Sequence, residues 1–279
     1  MTAGPLRGRI CLVAGASRGV GRGIARALGE AGATVIATGR SSEAGPRTDG
    51  RAETIEDAAR EVETAGGRGH PYRCDHTSER EVDGLVSWTL RRFGRIDVAV
   101  SSVWGGNEGF DGERFADGTA WGAPFWRRPA AGVVRALETG PYAALLLARA
   151  VAAPMAAMRS GLVAFVSFST EEGYLGDIAY DLGKAALNRL AFACAEELRP
   201  YGVAAVSLTP GQVRTERVMD AGMGEAATES PLYAGRAVAA LAADPDVLAR
   251  SGRNLYVADL ARSYGFTDAD GTQPERFRP

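Results

Sequence analysis

The sequence is poor in the residue types that build metal centres and disulfide frameworks. It has three cysteines, Cys11, Cys74 and Cys194, and two histidines, His70 and His76. An odd number of widely spaced cysteines is typical of reduced thiols in a cytosolic protein, and the histidines show no zinc-binding spacing. We therefore expect no disulfide framework, no metal site and a cytoplasmic location.

Long apolar runs and an excess of charge of either sign are missing as well. No apolar run reaches the ~18 residues that a membrane-spanning helix needs, and residues 1–9 lack the apolar core of a signal peptide. Lys and Arg number 32 against 34 Asp and Glu, a net charge of −2, so no basic field can attract a polyanion. We therefore expect neither nucleic acid nor a membrane among the partners.

What the sequence does contain is the composition of a globular protein with an excess of glycine. Apolar residues make up 46% and charged residues 24%, and 36 of the 279 residues are glycine. The glycines follow no Gly-X-Y period, so we expect them in turns and close backbone approaches. No linker or repeat divides the chain, which predicts one domain over residues 1–279, with a core at about 7–262 and a tail at 263–279.

Short apolar, β-branched runs alternate along the chain with longer amphipathic stretches. They predict seven strands, at residues 10–14, 34–38, 71–74, 96–101, 162–167, 203–208 and 254–257. Helices are predicted between them, at residues 19–30, 54–65, 79–93 and 180–197. This alternation predicts an α/β fold, a doubly wound and Rossmann-like parallel sheet with helices on both faces.

Two segments interrupt this alternation. Residues 41–51 are polar and rich in glycine and proline, which predicts a surface loop. Residues 104–129 hold six Trp and Phe side chains among many glycines. A loop so aromatic either lines a pocket or is an insertion that covers its own apolar patch.

The first predicted strand runs into a glycine-rich turn. Gly15, Gly19 and Gly21 lie in this turn, and a helix begins directly after it. Glycine lets backbone amides approach a diphosphate closely, and a helix N-terminus adds about half a positive charge. The spacing differs from G-x-G-x-x-G, yet its place after the first strand predicts a phosphate-binding loop rather than a simple tight turn.

Tyr180 and Lys184 stand four residues apart on one predicted helix face. A nearby ammonium lowers the pKa of a tyrosine, which lets the phenol give or take a proton at a carbonyl or alcohol oxygen. On its own, the spacing also fits a surface tyrosine beside a solvated lysine. Ser167, at the end of a predicted strand, can hydrogen-bond the same substrate oxygen; Ser169 is its rival, and either hydroxyl could simply end the strand.

Together, these residues resemble the short-chain dehydrogenase/reductase family over about residues 7–262. The matching pieces are Ala14-Gly15-Ala16-Ser17-Arg18-Gly19-Val20-Gly21, the Tyr180 and Lys184 pair with Ser167, and Thr209-Pro210-Gly211-Gln212-Val213-Arg214-Thr215. Residues 259–265 are similar to the family subgroup typified by dehydrogenase/reductase member 1. The resemblance implies catalysis by Ser167, Tyr180 and Lys184, with Tyr180 as the general acid and base.

The glycine loop and the resemblance together predict an NADP (NADPH) site. Its candidate contacts are Gly15, Ser17, Arg18, Gly19, Val20, Gly21, Arg40, Asp75, Ser102, Tyr180, Lys184, Pro210, Gly211, Val213 and Thr215. Within this set, the resemblance assigns the adenine ring to Asp75 and the nicotinamide carboxamide to Val213 and Thr215.

The end of the second predicted strand favours NADP over NAD. An NAD enzyme usually has an acid at this turn, which hydrogen-bonds the ribose and would repel a 2′-phosphate. Gly39 stands there instead, and Arg40 follows it. Arg40 and Arg18 can both donate hydrogen bonds to a phosphate, although either could be a solvated surface charge.

Two positions depart from the family pattern. After the fourth strand the family usually has Asn-Asn-Ala-Gly, whereas residues 101–106 read Ser-Ser-Val-Trp-Gly-Gly. The family also has an asparagine in its fourth helix, in a proton relay from the lysine to solvent, and Glu138 or Thr139 stands there in this chain. The relay is therefore rebuilt or absent.

The leading hypothesis is an NADP-dependent oxidoreductase that transfers a hydride between nicotinamide and a carbonyl or secondary alcohol. The alternatives are dehydration or isomerisation on the same fold, and a cofactor-binding protein without turnover. Residues 104–129 and 216–232 predict a small substrate that is apolar or cyclic. The resemblance implies a homo-oligomer, a tetramer or a dimer, and the Ala-rich stretches at 143–157 and 185–195 allow close packing between subunits.

Overall fold

The computed structural model describes residues 4–168, 173–226 and 228–277. Its strands are β1 (Ile10–Ala14), β2 (Thr34–Gly39), β3 (Arg68–Arg73), β4 (Val98–Ser101), β5 (Gly161–Val166), β6 (Val203–Thr209) and β7 (Asn254–Tyr256). All neighbouring strands are parallel, in the order β3-β2-β1-β4-β5-β6-β7. The order reverses between β1 and β4, so the predicted doubly wound parallel sheet is confirmed.

Helices cover both faces of this sheet. They are α1 (Gly19–Glu30), α2 (Ile55–Thr64), α3 (Glu79–Phe93), α4 (Ala130–Leu137), α5 (Ala143–Met158), α6 (Ile178–Leu198), α7 (Glu216–Asp220), α8 (Pro231–Ala243) and α9 (Val257–Tyr264). Side chains of α1, α2, α8 and α9 share one apolar core with Cys11 and Val13. Those of α3, α5 and α6 share a second core with Leu12 and Ala14. Alternate residues of β1 thus face opposite cores, as the period of a strand requires.

The third strand differs from its prediction, because it begins at Arg68 rather than at residue 71. It is an edge strand, and among its residues only Gly69 is buried. A strand without a continuous apolar run has a weak sequence pattern, which explains the error. Pro71 is tolerated at such an edge, because one side of the backbone has no neighbouring strand to bond.

A continuous helical run, Ala130–Met158, joins α4 to α5 through a wider turn at Glu138–Tyr142. Within the three described ranges, it is the one helix long and apolar enough, by length and composition, to cross a membrane. Its side chains Leu147, Val151 and Met155 are buried in the second core. Part of the apolar character of this run therefore serves its packing against the sheet.

Helices α1 and α8 pack closely because glycines meet at their contact. A Cβ atom at Gly23 would lie 2.2 Å from the carbonyl oxygen of Pro231, and one at Gly235 would lie 2.4 Å from the carbonyl oxygen of Gly23. No side chain fits at such distances, so both positions require glycine. The contact holds α1 in place, and the first turn of α1 belongs to the predicted phosphate-binding loop.

We expect Gly23→Ala to lower the free energy of unfolding by about 1–3 kcal/mol, because the added methyl group overpacks the contact between α1 and α8. Gly84→Ala is the matched control, since Gly84 also lies inside a helix but a Cβ atom there meets only the Tyr72 hydroxyl, at 3.8 Å. The control should raise stability by about 0.5–1 kcal/mol, because alanine favours a helix over glycine. Urea unfolding measures both variants, and equal effects would contradict the packing argument.

Candidate active site

The loops that follow the strands enclose a cavity of about 580 Å³ at the carboxyl edge of the sheet. The candidate residues that line it are Gly15, Ser17, Arg18, Gly19, Val20, Arg40, Asp75, Ser102, Ser167, Tyr180, Lys184, Pro210, Gly211, Val213 and Thr215. Gly21 does not line it, and a Cβ atom there would lie 2.1 Å from the Gly15 carbonyl oxygen, so this glycine permits the tight turn. Ser169 lies outside the described residues.

The loop between β1 and α1 is held by the neighbouring strand. The amides of Gly15 and Ala16 both donate to the Thr38 carbonyl oxygen at 2.9 Å. The Gly19 amide, at the start of α1, donates to a carboxylate oxygen of Glu216 at 2.8 Å. This amide therefore already binds an anionic oxygen, and the loop fits the diphosphate of a dinucleotide by the same chemistry.

Two polar side chains, one partly buried and one buried, line the part of the cavity next to β3. Asp75 accepts hydrogen bonds from the Thr77 amide at 3.0 Å and from the Thr77 hydroxyl at 2.7 Å. Burial opposes the ionisation of Asp75, but these bonds and the nearby Arg40 hold its pKa below the usual range. His76 is buried 2.7 Å from the Thr38 hydroxyl, and burial lowers its pKa to about 4, so the imidazole is neutral near pH 7.

Three arginines line the neighbouring corner of the cavity. Arg40 is paired with Glu108, and Arg217 is paired with Asp49 at 2.5 Å. Arg18 reaches a backbone oxygen at 3.5 Å and, within the part of the chain that the structure describes, has no ion pair. Burial is the main cause of the lowered pKa of Arg18. An added anion would therefore stabilise Arg18 more than it would the other two.

Ser167, Tyr180 and Lys184 meet where β5 ends and α6 begins. The Ser167 hydroxyl donates to the Lys184 carbonyl oxygen at 3.0 Å, and the Lys184 ammonium donates to the Val166 carbonyl oxygen at 3.4 Å. Burial lowers the pKa of Lys184 to about 7 and raises the pKa of Tyr180 above its usual value. In the protein alone, Tyr180 therefore holds its proton at neutral pH, whereas the sequence argument expected a lowered pKa.

The indole of Trp104 lies beside these residues. Its ring centre is 4.5 Å from the Lys184 nitrogen and 5.4 Å from the ring centre of Tyr180. A Cβ atom on any of three glycines would lie within 2.8 Å of the indole, and these are Gly106, Gly140 and Gly183. The bulky residue that departs from the family pattern thus fits because glycines leave it room, and its ring attracts the lysine ammonium.

The relay position was assigned from the sequence to Glu138 or Thr139. Thr139 lines the cavity, whereas Glu138 is exposed. The Thr139 hydroxyl accepts from a backbone amide at 3.1 Å and donates to a backbone carbonyl at 2.6 Å. This hydroxyl is thus engaged with the backbone, while Lys184 contacts the Trp104 indole.

A buried arginine fastens the aromatic segment 104–129 to the helix that carries Tyr180. Arg128 exposes 2% of its side chain and lies 2.8 Å from the Asp117 carboxylate and 3.1 Å from the Asp177 carboxylate. Its guanidinium also covers an aromatic ring of the same segment at 3.5 Å. Asp177 in turn caps α6 by accepting from the Tyr180 amide at 2.9 Å. One buried charge therefore positions both the segment and the start of α6.

Both hypotheses for the aromatic segment hold in part. Trp104 and Trp121 line the cavity. Phe110 and Phe115 pack against Trp121, with ring centres 5.5 and 5.7 Å away. The segment therefore lines the pocket with two of its rings and covers one of them, that of Trp121, with two others.

The segment that follows β6 is supported by Glu229. The Arg214 amide donates to the Glu229 carbonyl oxygen at 2.8 Å. A Cβ atom at Gly211 would lie 2.8 Å from the Glu229 carboxylate, which is 1% exposed. Burial raises the pKa of Glu229 to about 7. The carboxyl group therefore lies behind the segment, inside the protein, and does not line the cavity.

Sequence reasoning missed several contacts of the cavity. It did not foresee the pairing of Arg40 with Glu108 or the bond from Gly19 to Glu216, whose partners lie 197 residues apart. It also left Phe277 in a tail outside the core, yet this side chain lines the cavity. No local pattern signals such distant contacts, so the fold was needed to find them.

Comparisons with known proteins show the family to which the chain is similar. The family model described as short chain dehydrogenase matches residues 9–226. Dehydrogenase/reductase SDR family member 1 of Mus musculus is 37% identical, over 96% of this chain and 85% of that protein. A metagenomic short-chain oxidoreductase in complex with NADP is 27% identical with a TM-score of 0.68, over 90% of this chain and 96% of that one. A short chain dehydrogenase from Mycobacterium thermoresistibile shares the fold, with a TM-score of 0.80 at 23% identity, over 98% and 94% of the two chains.

The lowered pKa of Lys184 predicts a pH dependence of stability. Between its folded pKa of about 7 and the value of about 10.4 in an unfolded chain, the unfolded state binds more protons, so this residue makes the free energy of unfolding rise with pH. Below pH 7 the lysine is charged in both states, and its burial is fully unfavourable. Lys184→Met removes this contribution.

We therefore expect the stability of Lys184→Met relative to the natural chain to be greatest near pH 6–7 and to decline towards pH 9. Urea unfolding of both proteins at several pH values measures the difference, in which the other titrating groups cancel. A difference that does not change with pH would contradict the burial of a titrating ammonium.

Proposed function

The chain belongs to the short-chain dehydrogenase family and is an NAD(P)-dependent oxidoreductase, and from that premise we propose that it uses NADP(H) to interconvert a carbonyl group and a secondary alcohol. The observation that carries the proposal is that Ser167, Tyr180 and Lys184 line the same cavity as the glycine loop. When bound, the nicotinamide supplies or accepts the hydride. The residues of the chain supply the proton and orient the substrate.

Tyr180 is the proton donor and acceptor in this proposal. Burial raises its pKa, so the phenol holds its proton at neutral pH and suits donation to the oxygen of a carbonyl under reduction. The Ser167 hydroxyl can rotate from the Lys184 carbonyl to the same substrate oxygen and stabilise its developing charge. Lys184 binds the ribose and stabilises negative charge on Tyr180 while its own ammonium rests against Trp104.

The substrate is a small molecule that is apolar or cyclic. Tyr180 is surrounded by the rings of Trp104, Trp121 and Phe168, with centres 5.4, 5.9 and 6.3 Å from its own. Walls of this kind favour apolar faces and exclude water from the reacting oxygen.

NADP rather than NAD is the proposed cofactor. Gly39 and Arg18 both line the cavity, and of the three arginines there Arg18 is the one without an ion pair among the described residues. A 2′-phosphate would offset the burial of this guanidinium. Arg40 can also donate to the 2′-phosphate, but we expect it to contribute less than Arg18 because it is paired with Glu108. The metagenomic relative in complex with NADP supports the same choice.

We also propose that the protein is a homo-oligomer in the cytoplasm. Large apolar side chains are exposed on the helical run 130–158 and on α6, and they are Val134, Tyr142, Leu145, Leu182 and Phe192. Exposed apolar groups on neighbouring helices favour burial against a second copy, which is consistent with a dimer or a tetramer.

We expect Tyr180→Phe to lower the rate of carbonyl reduction about 10²–10⁴-fold, the usual contribution of a general acid. Tyr201→Phe, which removes a hydroxyl from an exposed tyrosine, is the matched control and should leave the rate unchanged. The loss of reduced-nicotinamide absorbance over a panel of ketones measures the rate, and calorimetry confirms that each variant still binds cofactor. A near-natural rate for Tyr180→Phe would refute the assignment.

For the cofactor, we expect NADP to bind about tenfold to a thousandfold more tightly than NAD, since a charge-assisted hydrogen bond contributes roughly 1.5–3 kcal/mol. Arg18→Gln should remove most of this preference without weakening the binding of NAD. Arg26→Gln, on the helix that follows Arg18 and paired with Glu30, is the control and should bind both cofactors normally.

Calorimetric titration of both oxidised cofactors at one salt concentration measures these affinities. Equal affinities of the natural chain for the two cofactors, or tighter binding of NAD, would contradict the proposal that Gly39, Arg18 and Arg40 select the 2′-phosphate of NADP. A preference lost in Arg40→Gln but not in Arg18→Gln would assign the 2′-phosphate to Arg40 instead.

A further inference from the structure

The segment 266–277 follows α9 and returns to the cavity, where Phe277 lines the wall. The ring centre of Phe277 lies 6.2 Å from that of Phe168 in an edge contact. Phe168 in turn lies 6.3 Å from Tyr180. Phe277 thus extends, by one ring, the aromatic surface that begins at Tyr180.

The residue before Phe277 is anchored to the body of the protein. The Arg276 Nε donates to both carboxylate oxygens of Asp259, at 2.9 and 3.0 Å. Its guanidinium lies 3.9 Å from the centre of the Tyr256 ring. The hydrogen bond from Arg276 is the main cause of the lowered pKa of Asp259, so the pair is charged at neutral pH. Arg276 therefore ties the segment to both β7 and α9.

The earlier part of the segment is fastened as well. Asp268 is 5% exposed and accepts from the Ser230 amide at 2.8 Å. Arg236, on α8, donates to the carbonyl oxygens of Thr267 and Asp268 at 2.7 and 2.9 Å. The Gln273 side chain donates to the Phe266 carbonyl oxygen at 2.8 Å. With side-chain bonds along its length, the segment holds Phe277 as a fixed wall.

A fixed wall of this kind selects substrates by shape. Five aromatic rings line the cavity, those of Trp104, Trp121, Phe168, Tyr180 and Phe277. A planar or fused-ring substrate can contact several of these rings at once, whereas a short aliphatic ketone can contact few of them. Each additional ring contact contributes to discrimination only for substrates that extend far enough from the reacting oxygen to reach it.

We propose that Phe277 is a specificity-determining residue that selects ketones and alcohols bearing an aromatic or fused-ring system. The inference rests on the proposed function, because it places the reacting oxygen at Tyr180. It concerns a different part of the cavity, however, and ring binding at Phe277 does not require turnover. Binding and turnover therefore test the two proposals separately.

The test uses 2-acetylnaphthalene as the probe, with binding followed by quenching of tryptophan fluorescence in the presence of NADP⁺. We expect Phe277→Ala to weaken binding about tenfold, which corresponds to about 1.4 kcal/mol. Phe277→Tyr should restore it, because the ring is retained. Phe125→Ala, which removes an exposed ring that does not line the cavity, is the matched control and should bind normally.

The outcomes separate the two proposals. If the natural chain does not bind 2-acetylnaphthalene, or if Phe277→Ala binds it as well as the natural chain does, the inference is overturned. Equal weakening of NADP⁺ binding in Phe277→Ala would indicate a general structural role and overturn it too. If Phe277→Ala weakens ring binding but the natural chain reduces no ketone, the inference stands and the proposed function fails.

With active enzyme, kcat/KM for 2-acetylnaphthalene should fall in Phe277→Ala, while kcat/KM for butanone should not change.

Discussion

All strands of the sheet run in one direction, and the rest of the site depends on this constraint. In a parallel sheet every strand ends at the same edge, so the following loops converge there whatever their separation in the chain. The strand order reverses between β1 and β4, and the loops after these two strands meet closely: a Cβ atom at Gly15 would lie 2.8 Å from the Ser102 carbonyl oxygen. The cavity extends from this meeting point, and the glycine loop lines it.

The parts of the structure that the sequence predicted are those with a local pattern. The glycine turn is recognisable because it directly follows a buried strand, and Tyr180 and Lys184 because a helix sets their spacing. Six of the strands were found nearly in place, since their interiors are continuous apolar runs. β3 was misplaced because an edge strand needs no such run. Ser167 was predicted because it ends the fifth predicted strand, and in the structure it directly follows β5.

What the sequence could not provide is the environment that distant segments create. Trp104 fits only because glycines from separate segments leave room for its indole. Arg128 is stable inside the protein only because two aspartates, 11 and 49 residues away, flank its guanidinium. The pKa of Tyr180 was predicted in the wrong direction for the protein alone, because the sequence shows the neighbouring lysine but not the loss of water around both groups.

The two ends of the cavity are held in place in different ways, one by backbone hydrogen bonds to the sheet and the other by side-chain contacts. Around the glycine loop, the backbone is bonded into the strands of the sheet, so a substitution there disturbs the core. The aromatic end is built from residues 104–129 and 266–277, which lie outside the sheet and are fastened by side chains. Evolution can therefore replace the molecule that is turned over while the nucleotide site persists. Relatives that share the glycine loop are accordingly expected to differ in their substrates rather than in the reaction that they catalyse. The substrate of each relative has to be inferred from the aromatic residues that line its own cavity.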